Sequence, residues 1–177
     1  MALLSPEELA VFAGVEVGHP RLVVAIAAAE ALVAAAIGSA DITRRSFTCR
    51  LRPSRFRRTL ELPEGPLTEL LSVTQEGVPL APEEVLAAPW FIARQAGFRP
   101  GRRLEVTGLL GWSAEEGPPL PEGLRQALLL AAAEVLGRSS SSRVVSERLG
   151  DHAVTYGRPT SLLPPEAAAL LRHWRRP

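Results

Sequence analysis

The chain has 177 residues, of which 46% are hydrophobic and 22% charged, the size and composition of one soluble globular domain. Its 20 basic and 19 acidic residues nearly cancel, and every basic residue is Arg. With one Cys and no Lys, the composition excludes a disulfide scaffold, a Cys-rich zinc protein and a lysine-rich nucleic-acid-binding tail. The absence of Lys and Asn, together with 16 Pro, indicates a GC-rich genome combined with a hot habitat, and thus a thermophilic source.

Two helices are predicted near the N-terminus. The first covers residues 4–15, where Ser5 is a suitable cap. The second covers residues 20–37 and ends at Gly38. Because it is apolar on nearly every side, we expect it to lie centrally in the core or to pack on both sides, for example against a neighbouring subunit. Glu30 interrupts its apolar run, which is shorter than the ~20 residues of a membrane span, so no membrane partner is expected.

Strand-like patterns replace the helical ones after residue 38. The segment 42–62 is rich in Thr, Phe, Leu and Arg with partial alternation, which predicts two strands around Pro53. Further strands are predicted over residues 70–75, 78–80, 90–94 and 103–109, and a loop over residues 113–121.

The helical pattern returns towards the C-terminus. A third helix is predicted over residues 122–136, ending at Gly137, and the serine run 139–142 indicates a flexible link. Residues 144–156 are irregular or strand-like, and a last helix starts at the Pro164–Pro165 pair.

These elements predict an α+β fold, mainly a helical bundle of about four helices with a small β-sheet insert between the second and third main helices. We expect a single domain over residues 1–177, in which 1–38 and 119–177 form the helical part and 39–118 the β-rich insert.

No catalytic, cofactor-binding or metal-ligating set stands out in the sequence. The three His are not spaced as a zinc motif, and Asp151 and His152, as neighbours on a strand, point to opposite faces. Nucleophile-elbow, phosphate-loop and dinucleotide-binding patterns are absent from the sequence. Cys49 lies in a predicted strand, where it is expected to be a small buried hydrophobe. We therefore predict no enzymatic activity, no cofactor and no metal.

The near-zero net charge conceals segments of opposite sign. Seven arginines against Asp41 and Glu61 give residues 41–62 a net charge of +5, whereas residues 1–40 and 63–100 each carry −3. The seven are Arg44, Arg45, Arg50, Arg52, Arg55, Arg57 and Arg58. Three interpretations stay open: contact with nucleic-acid phosphates, contact with an acidic patch of another subunit, or a solvated sheet face rich in ion pairs.

Three segments, taken in order, resemble a known family. They are LPEGPL at 62–67 with LSVT at 71–74 and EGVPL at 76–80; RLEVT at 103–107 with GW at 111–112 and LPEGLRQA at 120–127; and VSERLGDHAVTY at 145–156. Together they look like the head–tail connector adaptor (head completion) proteins of long-tailed bacteriophages. The third segment is the most diagnostic, and the Arg-dense stretch is not a feature of the family.

The resemblance implies a structural virion protein at the head–tail junction, made in the host cytoplasm. It implies a homo-oligomeric ring, of twelve copies to match the portal, that extends the DNA channel below the portal and docks the stopper or tail. Its partners would be the portal protein, neighbouring adaptor subunits, stopper or tail proteins, and genomic DNA that passes without being read. The alternative function is a nucleic-acid-binding regulatory protein that uses residues 44–58.

The resemblance also suggests where the portal or a neighbouring subunit binds. The arm after the serine run contributes Ser146, Glu147, Arg148, Asp151 and Tyr156, and the last helix contributes Leu170, Leu171, Trp174, Arg175 and Arg176. An apolar anchor with an Arg rim is typical of protein interfaces. Trp174, three residues from the end, is expected to be hard to bury internally. We therefore expect the C-terminal segment to grip the portal.

Overall fold

A computed structural model describes residues 2–115, 117–141, 146–149, 152–155 and 163–177. Within them, the helices are α1 (Pro6–Ala13), α2 (Leu22–Ile37), α3 (Glu122–Ser141) and α4 (Pro165–Leu170), and α4 continues as a 3₁₀ turn over Leu171–Trp174. Two of the end signals predicted from the sequence, Ser5 and Gly38, act as expected. The Ser5 hydroxyl accepts the N–H of Glu8 at 3.1 Å, and Gly38 ends α2 with φ 82°.

Seven strands lie between α2 and α3. They are β1 (Arg45–Leu51), β2 (Arg57–Glu61), β3 (Leu67–Gln75), β4 (Val78–Pro79), β5 (Val85–Ala88), β6 (Phe91–Phe98) and β7 (Leu104–Leu110). One sheet has the order β1-β7-β3-β4 and the other the order β2-β6-β5, and all pairs are antiparallel. A separate hairpin pairs β8 (Ser146–Leu149) with β9 (His152–Thr155).

The prediction of a helical bundle with a small β insert is wrong. The seven strands form two sheets with a hydrophobic cluster of their own, to which β1, β3 and β7 contribute from one sheet and β5 and β6 from the other. Burial alternates strictly along β7, which places one face of this strand in that cluster. On the helical side α1 has 8 residues and α4 has 6, so α2 and α3 are the only long helices among the described residues.

Two smaller expectations also fail. Strand β5 was not predicted, because Pro82 and Pro89 enclose it and only Val85–Ala88 remain between turns. Helix α3 does not end at Gly137 but continues to Ser141, so most of the predicted serine link is helical. Serine is a tolerated helix residue when no residue after it breaks the hydrogen-bond ladder.

The helices enclose a second hydrophobic cluster, into which the β region sends two tryptophans. Trp90 precedes β6 and Trp112 follows β7, and both are buried among α1, α2, α3 and α4 residues. The helical and β regions are therefore joined by side chains as well as by the chain itself. Among the described residues, no helix combines the length and the apolar character needed to cross a membrane.

Candidate partner-binding surfaces

Three of the seven clustered arginines are engaged in ion pairs on the first sheet. Arg44 pairs with Glu69 at 3.3 Å, Arg45 with Glu64 at 3.0 Å, and Arg50 with Glu105 at 2.9 Å. The last pair joins residues that face each other across β1 and β7. Each such pair is worth about 0–1 kcal/mol at a surface. These arginines therefore brace the sheet and are not free cations.

A fourth arginine fixes the loop between β1 and β2. The Arg52 Nε donates to the carbonyl of Gly101 at 2.9 Å, and the N–H of Gly101 donates to the carbonyl of Pro53 at 2.8 Å. These two hydrogen bonds dock the β1–β2 loop onto the turn between β6 and β7.

An aromatic contact reinforces this docking. Gly97, with φ 71°, lies under the ring of Phe56, so closely that an added Cβ would come within 2.2 Å of the ring's Cζ. Only glycine meets both demands at this position, the left-handed backbone and the absence of a side chain. The loop is therefore held at its base by Arg52 and near its tip by Phe56.

The remaining three arginines of the cluster, Arg55, Arg57 and Arg58, are exposed, and no carboxylate among the described residues pairs with them. The adjoining β6–β7 turn adds three exposed arginines, Arg99, Arg102 and Arg103, of which Arg99 and Arg102 line one groove. We call Arg55, Arg57, Arg58, Arg99 and Arg102 the arginine tip. The charges of the sequence segments do not reveal this group, because Arg99 lies in the acidic segment 63–100 and Arg102 lies outside the basic segment 41–62. The antiparallel pairing of Arg57 with Phe98 brings the two loops together.

Part of the charge of the basic segment 41–62 is neutralised within one subunit, by Glu64 and Glu69 of the acidic segment 63–100 and by Glu105. Elsewhere, Arg94 binds Glu84 at 2.7 Å and Arg125 binds Glu8 at 2.6 Å. These ion pairs stabilise the subunit itself. The five arginines of the tip remain without a carboxylate partner among the described residues.

The C-terminal segment is anchored on the junction between helices and sheets. Leu171 is fully buried in the helical cluster, and the ring of Trp174 packs edge-on against Trp112 with 5.4 Å between centroids. The indole N–H of Trp90 donates to the carbonyl of Trp174 at 2.8 Å. Trp174, which the sequence predicts to be hard to bury internally, is partly buried, because the two tryptophans from the β region contact it. We call Trp90, Trp112 and Trp174 the tryptophan junction.

Arg176 is held in the same place. Its N–H donates to the carbonyl of Ile37 at 3.0 Å, its guanidinium donates to the carbonyl of Leu62 at 3.3 Å, and it lies 6.0 Å from the centre of the Trp90 ring. Arg175 is exposed and Leu170 is partly buried. Of the C-terminal residues predicted to form the interface, Arg175 thus presents the freest side chain.

The predicted residues of the arm are placed only in part. Ser146, Glu147 and Arg148 lie on β8 and pair with Thr155, Val154 and Ala153 on β9. Asp151 and Tyr156 lie outside the described residues. The role of this arm in portal or subunit contact stays a prediction.

An apolar surface that the sequence analysis did not single out lies at the junction of α1 and α2. Five large apolar side chains are exposed there: Val11, Phe12, Val17, Val23 and Val24. Val11 is 82% exposed, and Val23 and Val24 are each 66% exposed. We call this set the helical patch. Exposed apolar clusters of this kind mark protein contacts. The one sequence signal for the helical patch is that α2 is apolar on nearly every side.

The described residues offer little reactive chemistry. Burial, with a smaller contribution from the Glu64 charge, raises the pKa of Cys49 to about 11, so the thiol is protonated at neutral pH and is a poor nucleophile. His19 accepts the N–H of Arg21 at 3.3 Å, as a loop histidine. Within the described part of the chain, His, Cys, Asp and Glu form no cluster that could hold a metal ion.

The fold has a counterpart among solved structures. One similar chain comes from the neck of an empty GTA (gene transfer agent) particle, computed with C6 symmetry. It is 20% identical in sequence to this protein, and the match covers 98% of this chain and 89% of the other, with a TM-score of 0.54. A chain in the neck of a native GTA particle, computed with C12 symmetry, has 22% identity over 94% of this chain and 81% of its own length, with a TM-score of 0.42. No protein-family model matches the chain, and no curated protein sequence is similar to it. The first of these likenesses shows that the chain shares its fold, over almost its entire length, with a chain found in a particle neck.

Proposed function

We propose that this chain is a structural protein of the head–tail junction of a phage-like particle, where it forms a ring. The observation that carries the proposal is the shared fold with a chain of a GTA particle neck, which spans 98% of this chain. The resemblance of its sequence segments to head–tail connector adaptors supports the same role independently. A catalytic activity is not part of the proposal.

The ring would be held together in part by the helical patch. The similar chain belongs to a neck with C6 symmetry, in which copies of a protein adjoin around an axis. A ring contact is heterologous, so each subunit needs two different complementary surfaces. The exposed apolar side chains of the helical patch suit one of them, because burying them removes apolar area from water. We assign it to a second copy of this chain.

We also propose a copy number, binding partners and a position for the ring. The ring would have twelve copies, bind the portal on one side and the stopper or tail on the other, and surround the DNA channel. The arm from Ser146 to Tyr156 and the C-terminal segment with Arg175 would contact the portal. A thermophilic source is likewise proposed, from composition alone.

Co-sedimentation with the cognate portal protein, followed by electron microscopy of the particles, tests the role. We expect the mixture to give ring-shaped particles that contain both proteins. Two proteins that sediment separately at all ratios would overturn the proposal.

A matched pair of variants tests the helical patch. Val23→Glu places a charge in the patch and should abolish ring formation while the portal still captures single subunits. Leu86→Glu makes the same change at a side chain of similar exposure, 68%, on β5, and should leave the rings intact. Equal ring formation by the Val23→Glu variant and the unaltered protein would remove the patch from the interface.

The alternative, a nucleic-acid-binding regulatory protein, has one observation in its favour, the arginine tip. The tip is made of the β1–β2 loop with the start of β2 and the β6–β7 turn, and none of its residues lies on a helix that could enter a DNA groove and read bases. We therefore retain the contact with nucleic acid and not the regulatory role.

A further inference from the structure

We propose that the arginine tip binds the phosphate backbone of double-stranded DNA without reading its sequence. The five side chains, Arg55, Arg57, Arg58, Arg99 and Arg102, are exposed, and within the described residues no carboxylate neutralises them. Most other arginines of the β region have a partner, so the tip is where the positive charge of the subunit is concentrated. This inference stands on charge and geometry and does not depend on ring formation.

The tip is pre-organised for binding. The two loops that carry it are joined by the hydrogen bonds of Gly101 with Arg52 and Pro53, at 2.9 and 2.8 Å, and by the seating of Phe56 on Gly97. Loops that are already fixed lose little conformational freedom when a ligand binds, so more of the electrostatic attraction remains as affinity. A mobile basic tail would lack this advantage.

The adjacent groove extends the basic surface. It has a volume of about 380 Å³ and is lined by Arg94, Arg99 and Arg102 together with the hairpin residues Glu76 and Val78. Glu76 is occupied, because its carboxylate accepts the N–H of Arg103 at 2.6 Å. The Arg94 guanidinium is held by Glu84, which leaves Arg99 and Arg102 as the free cations of this wall.

DNA is favoured over an acidic surface on a second copy. The carboxylates of the first sheet are already paired, and Glu61 lies at the end of β2 far from Arg57. Other exposed carboxylates, such as Glu7 on α1 and Glu83 in the turn before β5, lie on separate elements.

The tip has little of the apolar centre of a protein interface. Its single large apolar side chain, Phe56, packs on Gly97 and is 56% exposed, whereas protein contacts are centred on several apolar and aromatic groups with charges at the rim. A surface dominated by arginines matches a chain of phosphates, whose contacts fix position and carry no sequence information.

Binding of a short DNA duplex of mixed sequence, measured by fluorescence anisotropy over a range of salt concentrations, tests the proposal. Each phosphate neutralised contributes about 0.9 to the slope of log affinity against log salt. Three to five contacts therefore predict a loss of affinity of roughly 40-fold to 500-fold between about 50 and 200 mM salt. A second duplex of unrelated sequence should bind equally well.

Matched double variants locate the site. Arg55→Ala/Arg58→Ala and Arg99→Ala/Arg102→Ala should each lower the slope by about 1.8 and the affinity by roughly 60-fold at about 0.1 M salt. Arg21→Ala/Arg172→Ala removes the same charge from exposed positions on the helical side and should leave the slope unchanged. Because all six positions are exposed, melting temperatures should agree among the variants and confirm that each is folded.

The outcomes separate this inference from the proposed function. Absence of DNA binding at low salt, or equal losses in the tip and control variants, overturns the inference. Polyglutamate that displaces DNA at equal charge concentration also overturns it, in favour of an acidic protein partner. Portal capture by the tip variants tests the neck role separately, and we expect it to be unchanged.

Discussion

The tryptophan junction and the arginine tip differ in whether their large side chains have partners within the same chain. At the junction, Trp174 and Arg176 find ring, carbonyl and guanidinium contacts within their own chain. At the tip, five arginines find none among the described residues. Both are rich in residues that favour interfaces, so residue type alone does not tell a binding surface from an internal contact.

What separates the two regions is whether the polar groups are satisfied. A buried N–H without an acceptor costs about 1–3 kcal/mol, and the junction avoids this cost by pairing Trp90 with the carbonyl of Trp174. An exposed guanidinium stays hydrated, so the protein has no desolvation cost when the group has no hydrogen-bond partner, and the group remains available to bind a ligand. The junction is thus expected to govern stability and the tip to govern binding.

The largest effect is expected where the C-terminal segment enters the core. Leu171→Ala removes a side chain that is fully buried among the helices, and should lower the free energy of unfolding by about 2–5 kcal/mol. For a chain of this size that corresponds to a fall in melting temperature of about 4–20 °C. Thermal unfolding followed by circular dichroism measures it.

The neighbouring leucine is the control. Leu170→Ala removes the same atoms from a partly buried position and should cost clearly less. If Leu170→Ala were the more damaging of the two, the segment would not be anchored as described. If neither variant changed stability but both abolished portal capture, the segment would be a binding surface and the contrast between junction and tip would fail.

A smaller effect is expected at the base of the arginine tip. Gly97→Ala introduces a Cβ within 2.2 Å of the Phe56 ring and also forces alanine into φ 71°, which together should cost about 2–4 kcal/mol. Gly101→Ala adds a Cβ that meets nothing within 4 Å, so it bears only the backbone strain of φ 75°, about 1–2 kcal/mol. Chemical denaturation measures both.

A double variant shows whether the Phe56 contact is the cause. In Phe56→Ala/Gly97→Ala the clash is absent, so the double variant should be more stable than the sum of the two single changes predicts. Strict additivity would mean that the ring does not fix the loop. The arginine tip would then be less pre-organised than its geometry indicates.

The helical region could be predicted from the sequence, because its signals are local. Ser5 and Gly38 cap helices through contacts only a few residues away, and the apolar character of α2 is visible in one stretch of sequence. The wrong prediction of the end of α3 also has a local cause. A glycine followed by serines predicts the end of a helix, whereas α3 continues to Ser141.

The sheets and the arginine tip depend on contacts between distant residues. Strand β1 pairs with β7, so that Arg50 meets Glu105 at a separation of 55 residues, and no local pattern encodes that register. Because such pairings are not encoded locally, the sequence predicts one continuous basic stretch. Folding divides it into arginines that meet Glu64, Glu69 and Glu105 and others that join Arg99 and Arg102.

The smallest effect is expected at the link between α2 and β1, where a charged group has internal partners but is not deeply buried. Asp41 accepts the N–H of Thr43 at 2.8 Å and its hydroxyl at 2.7 Å. Burial raises the pKa of Asp41, but the two Thr43 hydrogen bonds, the Arg45 charge and the N–H of Ile42 outweigh burial and hold the pKa below its ordinary value of 3.8.

The sign of the pH dependence follows from that lowered pKa. The unfolded chain binds the Asp41 proton more readily than the folded chain, so the stabilisation is complete above the ordinary pKa and is lost as the pH falls through the lowered folded value. Asp41→Asn should cost about 0.5–1.5 kcal/mol at neutral pH, and this difference from the unaltered protein should shrink in acid. Glu83→Gln, at an exposed carboxyl that has no hydrogen bond or ion pair within the described residues, is the control and should leave the free energy of unfolding at neutral pH nearly unchanged. Denaturant unfolding across the acid range measures both, and a gap for Asp41→Asn that stays constant with pH would show that the charge of Asp41 adds nothing to the turn beyond its shape.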